Sequence, residues 1–444
     1  MGVMMQAFYW DCPREENREF AWWNYLRENI PGLVRVGFTR VWLPPAHKAA
    51  NVDGPSMGYD PYDYYDLGEY DQRGSVKTWF GSKKELLDLI NCAHDNRLQV
   101  IADMVLTHNS GAEEQEVNPL TGDLRWTRFK PLSGKFNRNW DCFHPSLYES
   151  WLGATFGDMP MLCHQNPYVY SESLKVARWL IEDLGFDGFR YDFVKGYGGR
   201  MINAIQQNRY LQNGVEVNPF GVGECWDSER TINDWLDEVN TFTDNPLCAF
   251  DFPLRWRLLD LCDSYGFTLR NLAEHGVLMW DRPEQSVTFV ENHDVVRDTP
   301  IVNDKMLAYA FILTHEGYPC VFWKDYYNGG LAKEDTPNGI AALVRSHEKY
   351  AGGSTQVLWV DDDIYIMARN GLAGQSGLVF VLNNKRSEWN GAEVTVPWPN
   401  TRLHPVAWWS KTDLSTPEET HSREDGRVKL LAAPRGYTIY VLQV

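Results

Sequence analysis

The sequence predicts a closed parallel (β/α)8 TIM barrel with a subdomain inserted after strand three and a C-terminal antiparallel β-sandwich domain. Three observations predict it. Short apolar strand candidates alternate with amphipathic helical segments through the first three quarters of the chain, the pattern of βα units. One connection, 108–167, is rich in Gly, Pro, Asn and Trp and too long for an ordinary loop. After an AGGS linker at 351–354, the tail alternates as antiparallel strands do. The expected division is 1–107 and 168–351 for the barrel, 108–167 for the insertion and 352–444 for the sandwich. A chain of 444 residues is also longer than one ordinary core holds.

The eight strands are expected at 3–10, 38–45, 98–106, 186–194, 220–226, 248–254, 286–294 and 318–325. Helical spacing fills the gaps between them. In SKKELLDLINCAHDN (82–96), Leu86, Leu87, Ile90 and Ala93 form an apolar stripe, and SLKVARWLIEDLG (173–185) has similar spacing with a glycine stop. An open doubly wound sheet is the alternative, but no GxGxxG follows the first strand. The tail strands are VLWVDDDIYIMAR, GLVFVLNN and GYTIYVLQV.

Composition narrows the function. Hydrophobic content of 43% and charged content of 23% mark a globular chain. A net charge of −18 argues against a nucleic-acid partner, whose phosphates need a basic footprint. No run reaches the length of a membrane span. The 19 tryptophans and 22 tyrosines are either core filler or rings lining a groove for a ligand with flat apolar faces, as sugars have. The eight cysteines lack CxxC pairing and lie mostly in apolar segments, as Cys248 and Cys320 do, so free buried thiols are expected. VMMQAFYW at the start reads as a strand and not a leader, so a cytoplasmic location is expected unless a signal peptide has been removed.

The chemistry gathers at the expected C-terminal ends of the barrel strands, where barrel enzymes work. GFDGFRYDF (185–193) sets Arg190 and Asp192 two residues apart, on one side of a strand. By itself that pair reads equally as a register-fixing ion pair or as a carboxylate held charged for use. Strand three ends with Asp103 and His108, and strand four adds Lys195. Strand five supplies Glu224, strand seven His293 and Asp294, and strand eight Asp325. Polar groups converging from five strands are hard to explain as packing. Several carboxylates without metal-ligand histidine spacing suggest glycoside hydrolysis, with one carboxyl protonated and another ionised. Arg190 suits Asp192 to be the ionised nucleophile. Glu224, in VGECW between an apolar strand and a tryptophan, is suited to be the protonated acid.

DMVLTH (103–108), FRYDFVKG (189–196), GECW (223–226) and VENHD (290–294) resemble, in order, the four best-known motifs of the retaining α-glucan-active glycoside hydrolases, the α-amylase family. GYDPYDYYDLGEY (58–70) resembles that family's substrate-facing stretch after strand two. FDFP, ENHD and AGGST point to its archaeal and plant-like branch, as does Gly196, where many relatives carry histidine. The resemblance implies Asp192 as nucleophile, Glu224 as general acid/base and Asp294 as the third carboxylate. It implies His108 and His293 as hydroxyl binders, Arg190 as the residue that positions the nucleophile, and Tyr59 stacked beneath the cleaved sugar, with Asp60 ordering its surroundings. Lys195 and Trp226 become contacts on the leaving-group side, and Asp103 a support. The implied activity is endo-cleavage of internal α-1,4 bonds in starch, glycogen and maltooligosaccharides, by a monomer whose partner is the α-glucan. A transglycosylase using the same site and a non-catalytic glucan-binding paralogue are the rivals.

No cofactor is expected. Calcium is where the chain departs from the resemblance: Thr107 stands where the family places an asparagine ligand, and Leu152 and Met161 stand at two aspartate positions. Calcium wants several hard oxygen ligands, and the leucine and methionine side chains supply none, so the usual calcium site is expected to be absent. His144 and Cys163 resemble two ligands of a zinc site in some archaeal relatives, with Glu149 where a second histidine would stand. A buried thiol and a surface histidine is the reading preferred for them.

Overall fold

A computed structural model of the chain describes residues 2–14, 20–53, 56–150 and 157–442. Eight parallel strands close into a barrel: β1 (Met4–Gln6), β2 (Arg40–Trp42), β3 (Gln99–Met104), β4 (Gly188–Tyr191), β5 (Phe220–Gly223), β6 (Cys248–Phe250), β7 (Ser286–Phe289) and β8 (Tyr318–Phe322). They follow one another round the barrel in chain order. All eight fall inside the expected segments but are shorter, because each leaves the ladder as it turns into its loop. Asp192, expected within strand four, lies just past its end.

The first long barrel helix, Lys83–Asp95, begins at a capping box in which Ser82 and Glu85 satisfy each other's backbone amides. Its buried stripe is Leu86, Leu89, Ile90 and Ala93. Leu89 thus takes the place expected for Leu87, since positions 86, 89/90 and 93 are what a 3.6-residue turn aligns. The helix Pro167–Glu182 starts at the Asn166 cap, with proline at its first position, where a missing amide costs nothing.

By contacts the chain divides into two compact units: Met1–Gln6, Leu33–Thr39 and Asp251–Val444 in one, Ala7–Gly32 and Arg40–Phe250 in the other. The second unit contains the long excursion after β3. There the chain makes a hairpin, Glu114–Val117 with Leu124–Arg128, and a single 3-10 turn, Trp140–Cys142.

The first unit carries the antiparallel strands β9 (Thr355–Val360), β10 (Ile364–Arg369), β11 (Leu378–Asn383), β12 (Asn390–Thr395), β13 (Arg402–Ser410), β14 (Thr420–His421), β15 (Arg427–Ala432) and β16 (Gly436–Leu442). Six of them form one sheet in the order β9-β10-β11-β16-β13-β14, while β12 and β15 pair as a separate ribbon. Ile364, Ile366, Val379 and Val381 of the sheet pack with Val394, Val428 and Leu430 of the ribbon in one apolar cluster. Sheet and ribbon are the two layers of the predicted sandwich. The eight cysteines are all free thiols, and Cys92 and Cys248 are half-buried where the others are buried. Among the described residues no helix is long and apolar enough to cross a membrane.

Candidate active site

Strand register builds the centre of the site in the second unit. In the parallel ladder Asp103 of β3 lies beside Arg190 of β4. Paired residues in such a ladder share a face, so the two side chains meet. Arg190 Nη1 donates to both Asp103 oxygens, at 3.0 and 3.1 Å, and to Asp192 Oδ1 at 2.7 Å. Its Nη2 lies 2.9 Å from Glu224 Oε2. One guanidinium with no exposed side-chain surface therefore faces three carboxylates. Its carbon also sits over the rings of Trp42 and Tyr59, at 5.0 and 5.8 Å.

Asp103 has its lone pairs filled. Besides Arg190 it accepts from the Tyr59 hydroxyl at 2.9 Å and the Trp42 indole at 3.0 Å. Burial pushes its carboxyl up to about 6, against the lowering pull of those donors. Asp103 thus anchors Arg190 and Tyr59 and leaves Asp192 to face outward.

The turn after β4 does the rest. Phe193 sits at φ 41, ψ 56, a left-handed conformation that costs a non-glycine residue about 1 kcal/mol. It bends the chain immediately after Asp192 and aims the Phe193 amide at Glu224 Oε2, 3.1 Å away. The Glu224 amide in turn donates to the Tyr191 carbonyl at 2.9 Å, and the Val194 amide to the Glu224 carbonyl at 3.2 Å. Glu224 is therefore locked to β4 and the turn that follows it through its backbone and its side chain. The sequence showed it beside apolar residues and a tryptophan; the fold adds a cation and an amide, both of which favour negative charge on it.

The remaining expected residues of this unit fall around that core. Tyr59 stacks on Trp10, with ring centroids 6.0 Å apart and planes 7° from parallel. His108 is buried, its Nε2 2.8 Å from the Tyr59 carbonyl, and burial lowers its pKa to about 4. It is neutral at pH 7 and donates from Nε2. Asp60 accepts from the Asn51 amide at 2.8 Å, which ties down the loop bearing Tyr59. Lys195 donates to the Trp226 carbonyl at 2.7 Å and to Asp227 at 3.1 Å. The Ser228 amide and Lys195 hold the Asp227 carboxyl down to about 2.

His293 and Asp294 belong to the other unit. Gln6 of β1 donates to His293 Nδ1 at 2.9 Å, which leaves the proton on Nε2, 3.2 Å from Asp294 Oδ2. Asp294 keeps about a third of its side chain exposed. Asp325 is part of a structural network: it accepts from Lys305 at 2.8 Å and from the Tyr309 hydroxyl at 2.6 Å, fastening the helix Lys305–Ile312.

Sequence reasoning missed Trp10, Trp42, Asp227 and Gln6. Gln6 had a legible signal, a lone amide in an otherwise apolar strand. The others become visible only when register and turns bring them to their partners.

The positions where the resemblance placed calcium ligands hold other atoms. Thr107 donates from its hydroxyl to the Phe193 carbonyl at 3.4 Å, and its own carbonyl accepts from Leu162 at 2.9 Å. A Cβ on Gly196 would lie 2.3 Å from the Thr107 methyl, so only glycine lets that methyl approach. Met161 presents a buried thioether. Leu152 lies outside the described residues. Nearby, ligand atoms of His144, Glu149 and Cys163 all lie within 4.8 Å of one another. His144 is not the surface histidine expected: it is buried, because its amide pairs with the Met161 carbonyl at 2.9 Å and draws the ring inward.

The family profile "Alpha amylase, catalytic domain" matches residues 22–245. The chain is 31% identical over 412 residues to the glucan 1,4-alpha-maltohexaosidase of Bacillus sp. (strain 707), covering 79% of this chain and 76% of that protein. It is 31% identical over 432 residues to the alpha-amylase of Geobacillus stearothermophilus, covering 85% and 76%. The crystal structure of the alpha-amylase from Geobacillus thermoleovorans complexed with acarbose superposes with a TM-score of 0.70 at 19% identity, covering 100% of this chain and 98% of that one. These matches, over a closed barrel with clustered carboxylates at its strand ends, place the chain among the glycoside hydrolases. The chain belongs to the α-amylase family.

Proposed function

We propose that the protein is an endo-acting, retaining α-amylase, which hydrolyses internal α-1,4 bonds of starch, glycogen and maltooligosaccharides. The single observation that carries this is the sharing of one buried guanidinium by Asp192 and Glu224. It brings two carboxylates of different surroundings to one place, as double displacement requires. Asp192, ion-paired at 2.7 Å, attacks the anomeric carbon. Glu224 protonates the departing glycosidic oxygen, then takes a proton from the water that releases the glycosyl-enzyme. The proton taken from water restores the protonated acid for the next cycle. Tyr59, fixed by Asp103 and Trp10, offers its ring face to the sugar, and neutral His108 offers a hydrogen bond to a hydroxyl. The family resemblance gives His293 the part of a second hydroxyl binder and Asp294 that of the third carboxylate. Lys195 and Trp226 stand on the leaving-group side.

No organic cofactor enters this reading. Thr107, whose methyl packs on Gly196 and whose hydroxyl is spent on the Phe193 carbonyl, and the Met161 thioether argue that the usual ion is replaced by direct packing there. One imidazole, one carboxylate and one thiolate fit zinc as three ligands; His144, Glu149 and Cys163 would hold it as a structural clamp. We read these three as structural without it. Within the family, Gly196 and the FDFP motif favour the archaeal and plant-like branch.

Proton NMR during digestion of maltoheptaose tests the mechanism: the newly formed reducing end is expected as the α-anomer. A β-anomer product overturns it, and products longer than the substrate reveal a transglycosylase.

A further inference from the structure

Arg138, Arg190 and Arg255 are all fully buried, and a buried guanidinium is costly unless an anion faces it. Arg190 faces three carboxylates, and Arg255 pairs with Glu291 at 3.1 Å. Arg138, in the long excursion after β3, makes no ion pair among the described residues. Its Nη2 donates to the Tyr62 carbonyl, and its Nε is buried without a hydrogen-bond partner. Its carbon lies over the rings of Phe129, Phe136 and Tyr64, at 4.5, 5.0 and 5.7 Å. These contacts hold the guanidinium in place and leave its charge uncompensated. Burial lowers its pKa, whereas at Arg190 the lowering by burial is outweighed by the carboxylates. Asp63, which acts on Arg138 from a distance, is spent on the Ser133 hydroxyl at 2.7 Å and on Gln72 at 2.9 Å.

Arg138 lines a cavity of about 700 Å³, whose wall sets Arg128, Lys130 and Arg138 against one acid, Asp141. In a chain of net charge −18, that wall reverses the prevailing sign. Asp141 accepts from the Leu147 amide at 2.8 Å and from Asn166 at 3.5 Å, so neutral donors hold it. Arg128 and Lys130 reach Glu116 and Glu114 of the hairpin, yet keep 43% and 51% of their side chains exposed. Ion pairs that open to water contribute little, so both cations are free to turn to a ligand. Asn137, Tyr148 and Tyr168 add exposed amide and hydroxyl groups to the wall. The helix Pro167–Glu182 also starts here, with Asn166 and Tyr168 lining the cavity and no acid in its first turn. Its positive end adds to the field of the cations.

We propose that this cavity binds a phosphate-class oxyanion, free or carried as a monoester on a small sugar, with Arg138 as its buried counter-charge. A planar guanidinium, two mobile cations and a helix N-terminus are the groups that recognise such an anion. The volume is that of a small-molecule pocket, with room for a sugar against the amide and phenol groups of the wall. The site is separate from Asp192, Glu224 and Asp294, and its ligand is independent of the reaction they carry out. An anion that binds only the folded chain also raises its melting temperature.

Isothermal titration calorimetry of the full chain in a phosphate-free zwitterionic buffer tests this. Inorganic phosphate and glucose 6-phosphate are expected to give saturable isotherms, and glucose none. Equal affinity for the two assigns the site to the free ion; an ester that binds roughly tenfold tighter assigns it to a phosphorylated sugar. Arg138→Met is expected to weaken binding by roughly tenfold, through loss of a charge-assisted contact. If Arg138→Met misfolds by circular dichroism, Arg128→Ala/Lys130→Ala on the exposed rim is expected to weaken binding by about the same factor. No saturable isotherm with either phosphate compound overturns the proposal, as does unchanged affinity in a folded variant. Glucose reproducing the isotherm of glucose 6-phosphate overturns it too, since the phosphoryl group would then go unrecognised.

Discussion

Arg190 Nη1 lies 2.7 Å from Asp192 Oδ1, and the same nitrogen reaches Asp103 on the neighbouring strand. The cation is thus braced by Asp103 and presented to Asp192, the nucleophile of the mechanism proposed above. A nucleophile held this way needs no reorganisation of its partner when the sugar arrives.

Replacing Arg190 therefore removes more than one contact. Arg190→Met leaves Asp103 and Asp192 facing each other without their cation, a loss of about 3–5 kcal/mol for a buried charge cluster. A clearly lower melting temperature with abolished activity is expected. Activity lost at an unchanged melting temperature would mean that Asp103 is stable by other means.

Glu224→Gln keeps the shape and removes the proton shuttle. Hydrolysis of maltooligosaccharides is expected to fall about a thousandfold. Starch retardation in native gels is expected to persist, because the substituted amide nearly matches the wild-type carboxyl in size and shape. A variant with wild-type kcat would eliminate Glu224 as the acid/base.

Acid stability follows from buried imidazoles. Burial lowers His47, His108, His164 and His347 to about 4 and His315 to about 3. Their unfolded values are near 6.5, so the unfolded chain binds more protons between about pH 6.5 and 4. Stability they contribute is present above pH 6.5 and is lost as pH falls through that window. Asp103 and Asp251, both raised by burial to about 6, act with the opposite sign over much of the same range. Burial raises Asp60, Glu291 and Glu348, and Asp187 raises His94, with that same opposite sign and by less, while burial lowers His144 with the five; the large shifts of the five histidines are the greater sum. Melting temperature is expected to fall steadily from pH 6.5 to pH 4; a flat profile would contradict the burial of these histidines.

Metal removal separates the two candidate ions. EDTA is expected to leave activity and melting temperature unchanged, and added calcium to do the same. A fall that calcium reverses would expose a calcium site built from other oxygens. A fall that zinc alone reverses, and that Cys163→Ala abolishes, would assign zinc to His144, Glu149 and Cys163.

The barrel was legible because period and punctuation are local. Alternating apolar strands and amphipathic helices record which surfaces must be buried, and all eight strands lie where that pattern put them. The long excursion after β3 was legible only as an exception, since its Glu114–Val117 and Leu124–Arg128 hairpin has exposed, mixed residues with no clear alternation.

Asp192, Glu224 and Asp294 were legible as glycosidase residues because DMVLTH, FRYDFVKG, GECW and VENHD resemble the family's motifs in order along the barrel. Arg190 as the cation beside Asp192 was legible too, from their spacing on one strand; the other partners were not. That Asp103 braces Arg190 depends on the register of β3 against β4, and that Glu224 meets the Phe193 amide depends on a left-handed turn. Both are properties of strands far apart in the chain, fixed by packing and closure rather than by neighbours in sequence. The sequence, through its ordered motifs and the Arg190–Asp192 spacing, determined the family and one ion pair; only the tertiary structure decided that Arg190 also meets Asp103 and Glu224 and which ring and amide hold those two carboxylates, because such partners are brought within hydrogen-bonding distance by the fold alone.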